Sequence, residues 1–596
     1  MTIWTWQTWP DPLVDFGTHC YVPWRLCAGQ LLYRDIAYYN GPLSPYFNAM
    51  LFRLFGVGIH TLEAANAIVL AAALTLVYRL LQQASGTVAA AAGGLTFVLM
   101  FAFGQGTGIG NYNWITPYAH EFTHGLTLGL AMLLCLHRYL RTGRMRWLAA
   151  GGAACGLAFC TKAEPSAAAI AGGVTQLAAG LWLQRATTRR AAASLAIFAA
   201  ATAAIPLAAV AALSTVLPAR LAWLGAAGSW AWVFDRRITA LPFYRGLIGL
   251  NDPAGNAAII LWWSAAYLLV LLLAAALAWT LRRTKAAAWI VLAVLGPAMA
   301  AAFYHIEWNN LARPLPLALA LLLVLAGREL VHRRGSAQRL SLRLALLIFS
   351  LALLPKILLN VHVFHYGFVL ALPGTLVLTA VMFQELPTAA AEHWGAGAAS
   401  TVRALMAVAW AAAVTATLVV DSRWFVTKQW TMQPGTPDSF CIASRGVEVQ
   451  LMQQMIQSQL PPGDTLAVFP QGLMLNYLAR RTNPTRYVNF MPPEVLAAGE
   501  PTILAALAAH PPDAVVVDRS ALNVDRTAFS LDHSYDYGSQ TLAWIKANYH
   551  VIGSADLPPP APTYLHLLLL KENSMQRSTS NAQRSTLNER LSSVER

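Results

Sequence analysis

The chain has 596 residues, of which 57% are hydrophobic and 11% charged, with a formal net charge of +14 and a mean hydropathy of +0.48. Soluble domains carry about 25% charged residues, and here apolar runs of about 20 residues, each long enough to cross a ~30 Å hydrocarbon core as helix, recur from about position 60 to 420. A soluble globular class is therefore excluded, and the positive balance does not indicate nucleic acid, because the arginines cluster between apolar runs, as cytoplasmic loops of polytopic proteins do.

The first 56 residues carry no such run. "VDFGTHCYVPWRL" (14–26) brings Asp15 and Arg25 among aromatic residues, and "GQLLYRDIAYYNGPLSPYFNAMLFRLFG" (29–56) adds Arg34 and Asp35. Trp24, Tyr33, Tyr38, Tyr39 and Tyr46 suit a water–lipid boundary, and the apolar stretches around them predict short interfacial helices. The pattern leaves two readings open, a lid and catalytic floor over a cavity or an amphipathic surface loop. Cys20 and Cys27 share this segment, but spacing alone does not bring two sulfurs together.

Twelve spans are expected, at about 60–82, 86–105, 122–140, 147–161, 166–184, 191–216, 257–281, 286–304, 314–328, 342–361, 366–384 and 402–420. Cys135, Cys155 and Cys160 fall in these runs as packing residues. The basic connections "HRYLRTGRMR" (137–146), "QRATTRR" (184–190), "LRRTK" (281–285) and "GRELVHRRGSAQRLSLR" (327–343) then share one side. The positive-inside tendency makes that side cytoplasmic. The opposite, extracytoplasmic side receives the N-terminus, the intervening loops and everything after Asp421. Exporting about 55 N-terminal residues requires an apolar segment ahead of them, and "MTIWTWQTWP" is too short and mixed to serve. The expectation is an upstream helix outside this sequence.

Polar residues that interrupt the apolar pattern gather on the outer side, where charges at membrane depth cost roughly 2.5–3.5 kcal/mol on insertion scales and mark paths or sites. In "YAHEFTHG", His120, Glu121 and His124 match the zincin letters HExxH, which on a helix place two imidazoles on one face. No third ligand follows at the metzincin spacing, so the preferred reading is a polar cavity at the mouth of the next span. The alternating Gly104, Gly106, Gly108 and Gly110 follow a membrane span rather than a strand, and read as a flexible loop rather than a dinucleotide fingerprint. "TKAEP" (161–165) sets Lys162 and Glu164 at a tight turn, with Pro165 opening the next helix. These two either pair with each other or leave Lys162 for an anionic head group. His305, Glu307, Arg313, Lys356, His362 and His365 add cations and acids to the same face, and together they favour a polar pocket.

After Asp421 the texture changes. "DTLAVFP" (464–470), "DAVVVD" (513–518) and "YLHLLLLK" (564–571) read as strands, while "PTILAALAAHPP" (501–512) and "QTLAWIKANY" (540–549) read as helices. Alternation of the two predicts a small α/β domain. It has no phosphate-cradling glycine motif and no Cys or His pair at metal spacing. The tail from about 574 is polar and predicted disordered. The organisation expected is 1–56 as a first loop with interfacial helices, 57–421 as a transmembrane domain, 422–573 as an extracytoplasmic α/β domain and 574–596 as a tail.

Arg, Lys and His above deep apolar spans suit an amphiphile with a phosphate head: tails lie between helices while cations neutralise phosphate oxygens. A carboxylate at the water boundary can activate a hydroxyl acceptor as general base. Together these describe glycosyl transfer from a lipid-linked donor, in which stabilising the leaving phosphate is the larger electrostatic task.

"DPLVDFGTHCYVPWRLCAGQLLYRDIAYYNGPLSPYFNAMLFRLFG" resembles the first outer loop of bacterial GT-C superfamily transferases, the glycosyltransferase family 39-like enzymes, related more distantly to protein O-mannosyltransferases and the aminoarabinose transferase of lipid A. "NYNWITPYAHEFTHG" and "TKAEP" look like later landmarks of that group. The resemblance implies an α-helical polytopic GT-C-like fold with a small C-terminal α/β domain facing the periplasm. It implies a bacterial inner (cytoplasmic) membrane location, a polyprenyl-phosphate-sugar donor and inversion. It makes Asp15 the catalytic base, with Asp35 in reserve. Tyr33, Arg34, Glu121, His124, Lys162, Glu164, His305, Glu307, Arg313, Lys356, His362 and His365 become the candidate substrate-binding groups. The reading needs the lipid bilayer and a lipid, protein or glycan acceptor, with no nucleic acid and no certain cofactor. The family pattern pairs two acids where this chain has Asp15 followed by Phe16, which leaves a divalent metal open. Two other classes use the same features: a flippase or transporter of lipid-linked sugar, and a polysaccharide polymerase or ligase. No internal repeat of the kind transporters show is visible.

Overall fold

The computed structural model describes residues 1–107, 113–284, 286–333, 335–519, 522, 538–555 and 565–571. Gly108, Gly110 and the tail from 574 lie outside the described residues. The chain divides into two compact units. One comprises Met1–Trp9, Tyr38–Asp235 and Phe243–Thr427, and the other Pro10–Ala37, Arg236–Pro242 and the chain from Lys428.

The first unit is helical. Among the described residues nine helices are long and apolar enough to cross a membrane: Ile59–Ala84, Ala163–Leu183, Thr188–Ser214, Pro242–Thr280, Ala287–His305, Trp308–Val331, Ala337–Ile357, Phe368–Trp394 and Ala396–Phe425. The remaining three expected spans coincide with helices that miss these criteria. Thr87–Ala102 is short, Met145–Phe159 has 15 residues, and His120–Thr142 is long but carries His120, Glu121, His124, His137, Arg138 and Arg141. The helix Ala163–Leu183 packs against Ala337–Leu353 and His120–Thr142. Small residues permit this close approach, since without a hydrophobic drive in lipid, helices associate by backbone proximity and packing. A Cβ on Gly129 would lie 2.8 Å from the Phe349 ring, and one on Gly125 2.4 Å from Thr161 Oγ1. The Gly125 approach presses the start of the His120 helix onto the turn that carries Lys162 and Glu164.

The second unit is built on a four-stranded sheet, with a separate two-stranded ribbon of β1 (Trp430–Met432) and β2 (Phe440–Ile442). The sheet holds β3 (Leu466–Phe469), β4 (Ala514–Asp518), β5 (Tyr549–Ser554) and β6 (Leu565–Leu570), in the order β3-β4-β6-β5. β3 and β4 are parallel, with Val468 opposite Val516, and β6 runs antiparallel to both neighbours. Every residue of "AVVVD" in β4 is buried, as a strand covered on both faces requires. The helices Glu500–Ala509 and Ser539–Asn548 supply Ile503, Leu507 and Ile545 to the core beneath Val515 and Val517. The three strands and two helices expected in this region all form, within a few residues of the expected bounds. The helices Ser444–Gln459, Leu473–Ala479 and Pro492–Ala498 and the strands β1, β2 and β5 were not anticipated.

Residues 10–37 are an integral part of this second unit. The helix Phe16–Cys27 lies so close to the helix Leu473–Ala479 that a Cβ on Gly17 would come within 2.1 Å of the Met474 nitrogen. Tyr21 is buried and its hydroxyl accepts from the Asn483 N–H at 2.9 Å. Ala37 N–H donates to the Arg486 carbonyl at 2.8 Å, and the Arg486 guanidinium donates to the Tyr33 carbonyl at 2.6 Å. Cys20 and Cys27 stand two turns apart on one helix, about 10 Å of rise, and are unbridged.

Candidate functional site

In the second unit, Asp11 sets the approach to Asp15. Its Oδ1 accepts from the N–H groups of Leu13 and Val14 at 2.9 and 2.8 Å, a turn favoured by short acidic side chains. Asp15 follows with φ 58° and ψ −79°, in the left-handed half of backbone space that L-residues avoid, and the helix begins at Phe16. An Asp ahead of a helix ordinarily accepts from the second or third helical N–H. The Asp15 side chain makes no such cap, although its carbonyl accepts from Thr18 N–H at 3.0 Å. Holding a non-glycine residue there costs of order 1–3 kcal/mol, and such strain gathers at functional sites.

Asp35 is held differently. Arg34 grips it with two hydrogen bonds, Nε to Oδ1 at 2.8 Å and Nη2 to Oδ2 at 3.0 Å, and Leu31 N–H adds a third at 2.8 Å. The Arg34 hydrogen bonds hold its carboxyl below the ordinary carboxylate range. A carboxylate so fully compensated is a poor proton acceptor. Tyr33 also sits at positive φ, 69°, and its N–H donates to the Ile36 carbonyl at 2.9 Å.

In the helical unit, the segment from Tyr38 to Ser44 runs along the turn at 160–161, with Gly41 N–H donating to the Thr161 carbonyl at 2.7 Å and Leu43 N–H to the Cys160 carbonyl at 3.0 Å. This places Tyr38 to donate its hydroxyl to Glu121 Oε1. It also brings Ser44 Oγ within 3.0 Å of His124 Nδ1. Asn66, on the Ile59–Ala84 helix, donates to the Ile115 carbonyl at 2.9 Å and meets His120 Nε2 at 2.8 Å. His120 and Glu121 are fully buried and His124 is nearly so. The match to HExxH is thus a packed polar cluster whose imidazoles are engaged by Asn66 and Ser44. Among the described residues no group of three or more His, Cys, Asp or Glu side chains is placed to hold a metal ion. This donor set does not fit zinc.

Beside it, Glu164 opens the Ala163–Leu183 helix, where the positive end of the helix dipole favours an acid. Its closest cation is Lys356, 2.6 Å from Oε1 and brought from far along the chain, while Lys162 stands at 4.0 Å. Lys162 lies 5.7 Å from the Tyr118 ring centroid and Lys356 5.8 Å from that of Tyr244, and Tyr118 packs edge-on to Tyr366 at 4.9 Å. Two ammonium groups thus flank one carboxylate among aromatic rings at the ends of apolar helices.

Arg313 is buried and bonds to the protein. Nη1 donates to Asn256 Oδ1 at 2.9 Å and to the Leu359 carbonyl at 2.7 Å, Nε reaches Asn310 Oδ1 at 3.3 Å, and Nη2 pairs with His362 Nε2. Asn310 in turn donates to Glu307 Oε2 at 2.8 Å, so Glu307, Asn310, Arg313 and His362 form one chain. His305 is exposed on the preceding turn. Burial pushes both His362 and His365 down to about 4 from 6.5, and the Arg313 charge adds to the shift. The native state therefore keeps both imidazoles neutral while the unfolded chain protonates them as pH falls below about 6.5. Stability is fully present above that value and is lost as pH falls toward about 4. The thermal midpoint of the wild type, measured by intrinsic fluorescence, should drop across that window. The drop should be smaller in a His362→Asn variant; equal slopes would count against this assignment.

Asp421 was anticipated only as a boundary. It is fully buried near the end of the Ala396–Phe425 helix, and its Oδ1 accepts from the N–H groups of Gln105 and Gly106 at 2.8 and 2.7 Å. The one signal in sequence was a lone acid closing the last apolar run. Ser44 and Asn66 give no sequence signal beyond being polar, and Tyr38 only its place among the boundary aromatics.

No protein-family model matches the chain, and no curated protein matches it. Among solved structures, the chain is similar to ArnT from Cupriavidus metallidurans bound to undecaprenyl phosphate, at 13% identity and a TM-score of 0.43, covering 95% of this chain and 96% of that one. It is also similar to the oligosaccharyltransferase of Archaeoglobus fulgidus in complex with zinc and sulfate, at 14% identity and a TM-score of 0.46, covering 95% and 70%. A third similar structure is AglB from the same archaeon with an inhibitory peptide and a dolichol-phosphate, at 15% identity and a TM-score of 0.44, covering 93% and 70%.

Proposed function

We propose that the chain is an integral-membrane glycosyltransferase that moves a sugar from a polyprenyl-phosphate-linked donor to a hydroxyl-bearing acceptor on the periplasmic face of the bacterial inner membrane. The observation that carries this reading is the Lys162–Glu164–Lys356 cluster. It sets two ammonium groups beside one carboxylate, with tyrosines around them, where the apolar helices end. That is the chemistry a phosphate head with long apolar tails requires.

In the reaction, the acceptor oxygen attacks the anomeric carbon. Its proton passes to the Asp15 carboxylate, and the bond from that carbon to the phosphate oxygen breaks with its electron pair leaving on polyprenyl phosphate. The lysines stabilise the phosphate charge as it develops. Attack opposite the leaving group inverts the anomeric configuration. Glu164 holds the two ammonium groups in register, so that little reorganisation remains when the phosphate arrives. The strained backbone of Asp15 supports its assignment as base, and the Arg34 grip on Asp35 argues against the reserve acid.

The test uses purified full-length protein in lipid nanodiscs, with polyprenyl-phosphate sugars and a bacterial membrane extract as acceptor. The expected result is transfer of labelled sugar to the extract. A Lys356→Met variant removes one charged hydrogen-bonding partner, worth about 1.5–3 kcal/mol, and should raise the KM for donor roughly 10- to 100-fold. Movement of labelled donor across proteoliposomes with no transferred product would overturn the reading in favour of a flippase.

A further inference from the structure

Within the helical unit, the turn between Ala287–His305 and Trp308–Val331 faces the C-terminal end of the Ala396–Phe425 helix across a cleft of about 420 Å³. That size falls in the ~300–1,000 Å³ range of ligand sites. One wall is aromatic. Phe303 lies 5.3 Å from the Tyr304 ring and 5.2 Å from that of Trp308, whose Nε1 donates to the Phe303 carbonyl at 2.8 Å. Phe364 joins the lining and is held by its N–H, which donates to Asn309 Oδ1 at 3.0 Å. The other wall is the helix. Its lining residues run from Ala416 through Val419 and Val420 to Arg423, about 10 Å of rise, and pass from apolar to charged toward the helix end. Trp and Tyr gather at the water–lipid boundary of membrane helices. The apolar end of the cleft therefore lies toward hydrocarbon and the charged end toward the head groups.

Two opposite charges line this cleft without meeting. Among the described residues the Arg423 side chain has no hydrogen bond, acid or ring to engage it, and Glu307 has only Asn310, on Oε2 at 2.8 Å. Both side chains are exposed. Arg423 also sits in the last helical turn, where a cation complements the helix dipole, but that leaves its planar fork open. The fork suits a phosphate. Glu307 Oε1 suits a hydrogen-bonding cation, which the aromatic faces beside it also favour. An occupant that satisfies both carries an anion and a primary ammonium close together on an apolar body. Polyprenyl phosphate and anionic phospholipids bring no cation, and set their negative charge against Glu307.

We propose that this cleft binds a bilayer aminophospholipid of the phosphatidylethanolamine class, with its phosphate on Arg423, its ammonium on Glu307 Oε1 and an acyl chain along Val419 and Val420. None of the lining residues belongs to the Lys162–Glu164–Lys356 cluster, and the inference does not depend on the transferase reading.

Native mass spectrometry of the purified full-length chain in detergent tests it, with titration of dioleoyl forms of phosphatidylethanolamine, phosphatidylcholine and phosphatidylglycerol. The expected result is one saturable phosphatidylethanolamine adduct, held roughly tenfold more tightly than either other lipid, the scale of one charged hydrogen bond. Both controls keep the phosphate and the chains. The quaternary choline head cannot donate to Glu307, and the glycerol head brings no cation. Glu307→Gln retains the Asn310 bond through its amide oxygen, and should erase the preference for phosphatidylethanolamine over phosphatidylcholine while binding persists. Arg423→Gln should weaken both alike. Because both side chains are exposed, the thermal midpoint of each variant in lipid-free detergent should match wild type. If either midpoint falls, Val420→Trp decides, since it fills the apolar end, leaves both charges in place and should lower phosphatidylethanolamine retention several-fold. Equal retention of the three lipids by wild type overturns the proposal, as does tighter retention of phosphatidylglycerol. A preference that survives Glu307→Gln, or undiminished binding in Val420→Trp, overturns it as well.

Discussion

Replacing Asp15 with Asn should lower the rate of sugar transfer about 10²- to 10⁴-fold, the usual contribution of a positioned general base, while the fold persists. The two halves of this expectation have separate physical grounds. Asn is isosteric with Asp and, like Asp, is among the few side chains tolerated at positive φ, so the backbone at φ 58° accepts it. The amide cannot take a proton from the acceptor hydroxyl. Asp15→Gly should separate strain from chemistry further. Glycine occupies this conformation without steric cost, which should raise the thermal midpoint by the equivalent of about 1 kcal/mol after its greater unfolded-state entropy is counted. Activity should fall as far as in the Asn variant. Steady-state transfer assays and thermal unfolding on the same preparations check both. If Asp15→Asn transfers sugar at the wild-type rate, Asp15 is not the base.

Replacing Arg313 with Leu should instead destabilise the helical unit before any kinetic effect can be read, at roughly 1–3 kcal/mol for each buried acceptor left unmet. Its guanidinium is nearly inaccessible and spans Asn256, Asn310, His362 and the Leu359 carbonyl, which come from separate stretches of chain. Leucine leaves Asn256 buried, and Asn310, His362 and the Leu359 carbonyl half-buried, each with a partner missing, and the unmet cost is larger than the worth of any one bond. Arg313→Lys should recover only part of the loss, because an ammonium cannot present the planar fork that reaches several acceptors at fixed angles. Thermal unfolding in nanodiscs, compared with Lys356→Met, makes the distinction. Lys356 should affect donor affinity, and Arg313 should affect the midpoint. An Arg313→Leu protein as stable as wild type would return Arg313 to the set of groups available to a substrate.

The helical class and the strands of the second unit were legible because they rest on local pattern. Apolar runs of span length, "DAVVVD" and "YLHLLLLK" each state their structure within a few residues. The turn bearing Lys162 and Glu164 was legible too, since Pro165 punctuates it. The partners were not. Lys356 is the nearer cation to Glu164, and Tyr38 and Ser44 clasp Glu121 and His124 across about 80 residues of sequence. Such pairings follow from helix packing through Gly125 and Gly129, which a single sequence does not display. HExxH shows the converse. The letters match a zinc motif, but Asn66 and Ser44 decide the chemistry, and neither belongs to the motif. The left-handed conformation of Asp15 was equally hidden, because Asp is compatible with turns of several kinds.

The grouping of Pro10–Ala37 with the chain beyond Lys428 has a consequence for biosynthesis. At about 5–20 residues per second, the ribosome needs roughly 20–80 s to travel from one stretch to the other. Throughout that interval Leu13 and Tyr21 lack Gly472 and Asn483, the neighbours they later meet. The early segment must therefore wait, unassembled, for the last part of the polypeptide to emerge, and it is in that interval that a chaperone or protease would find it.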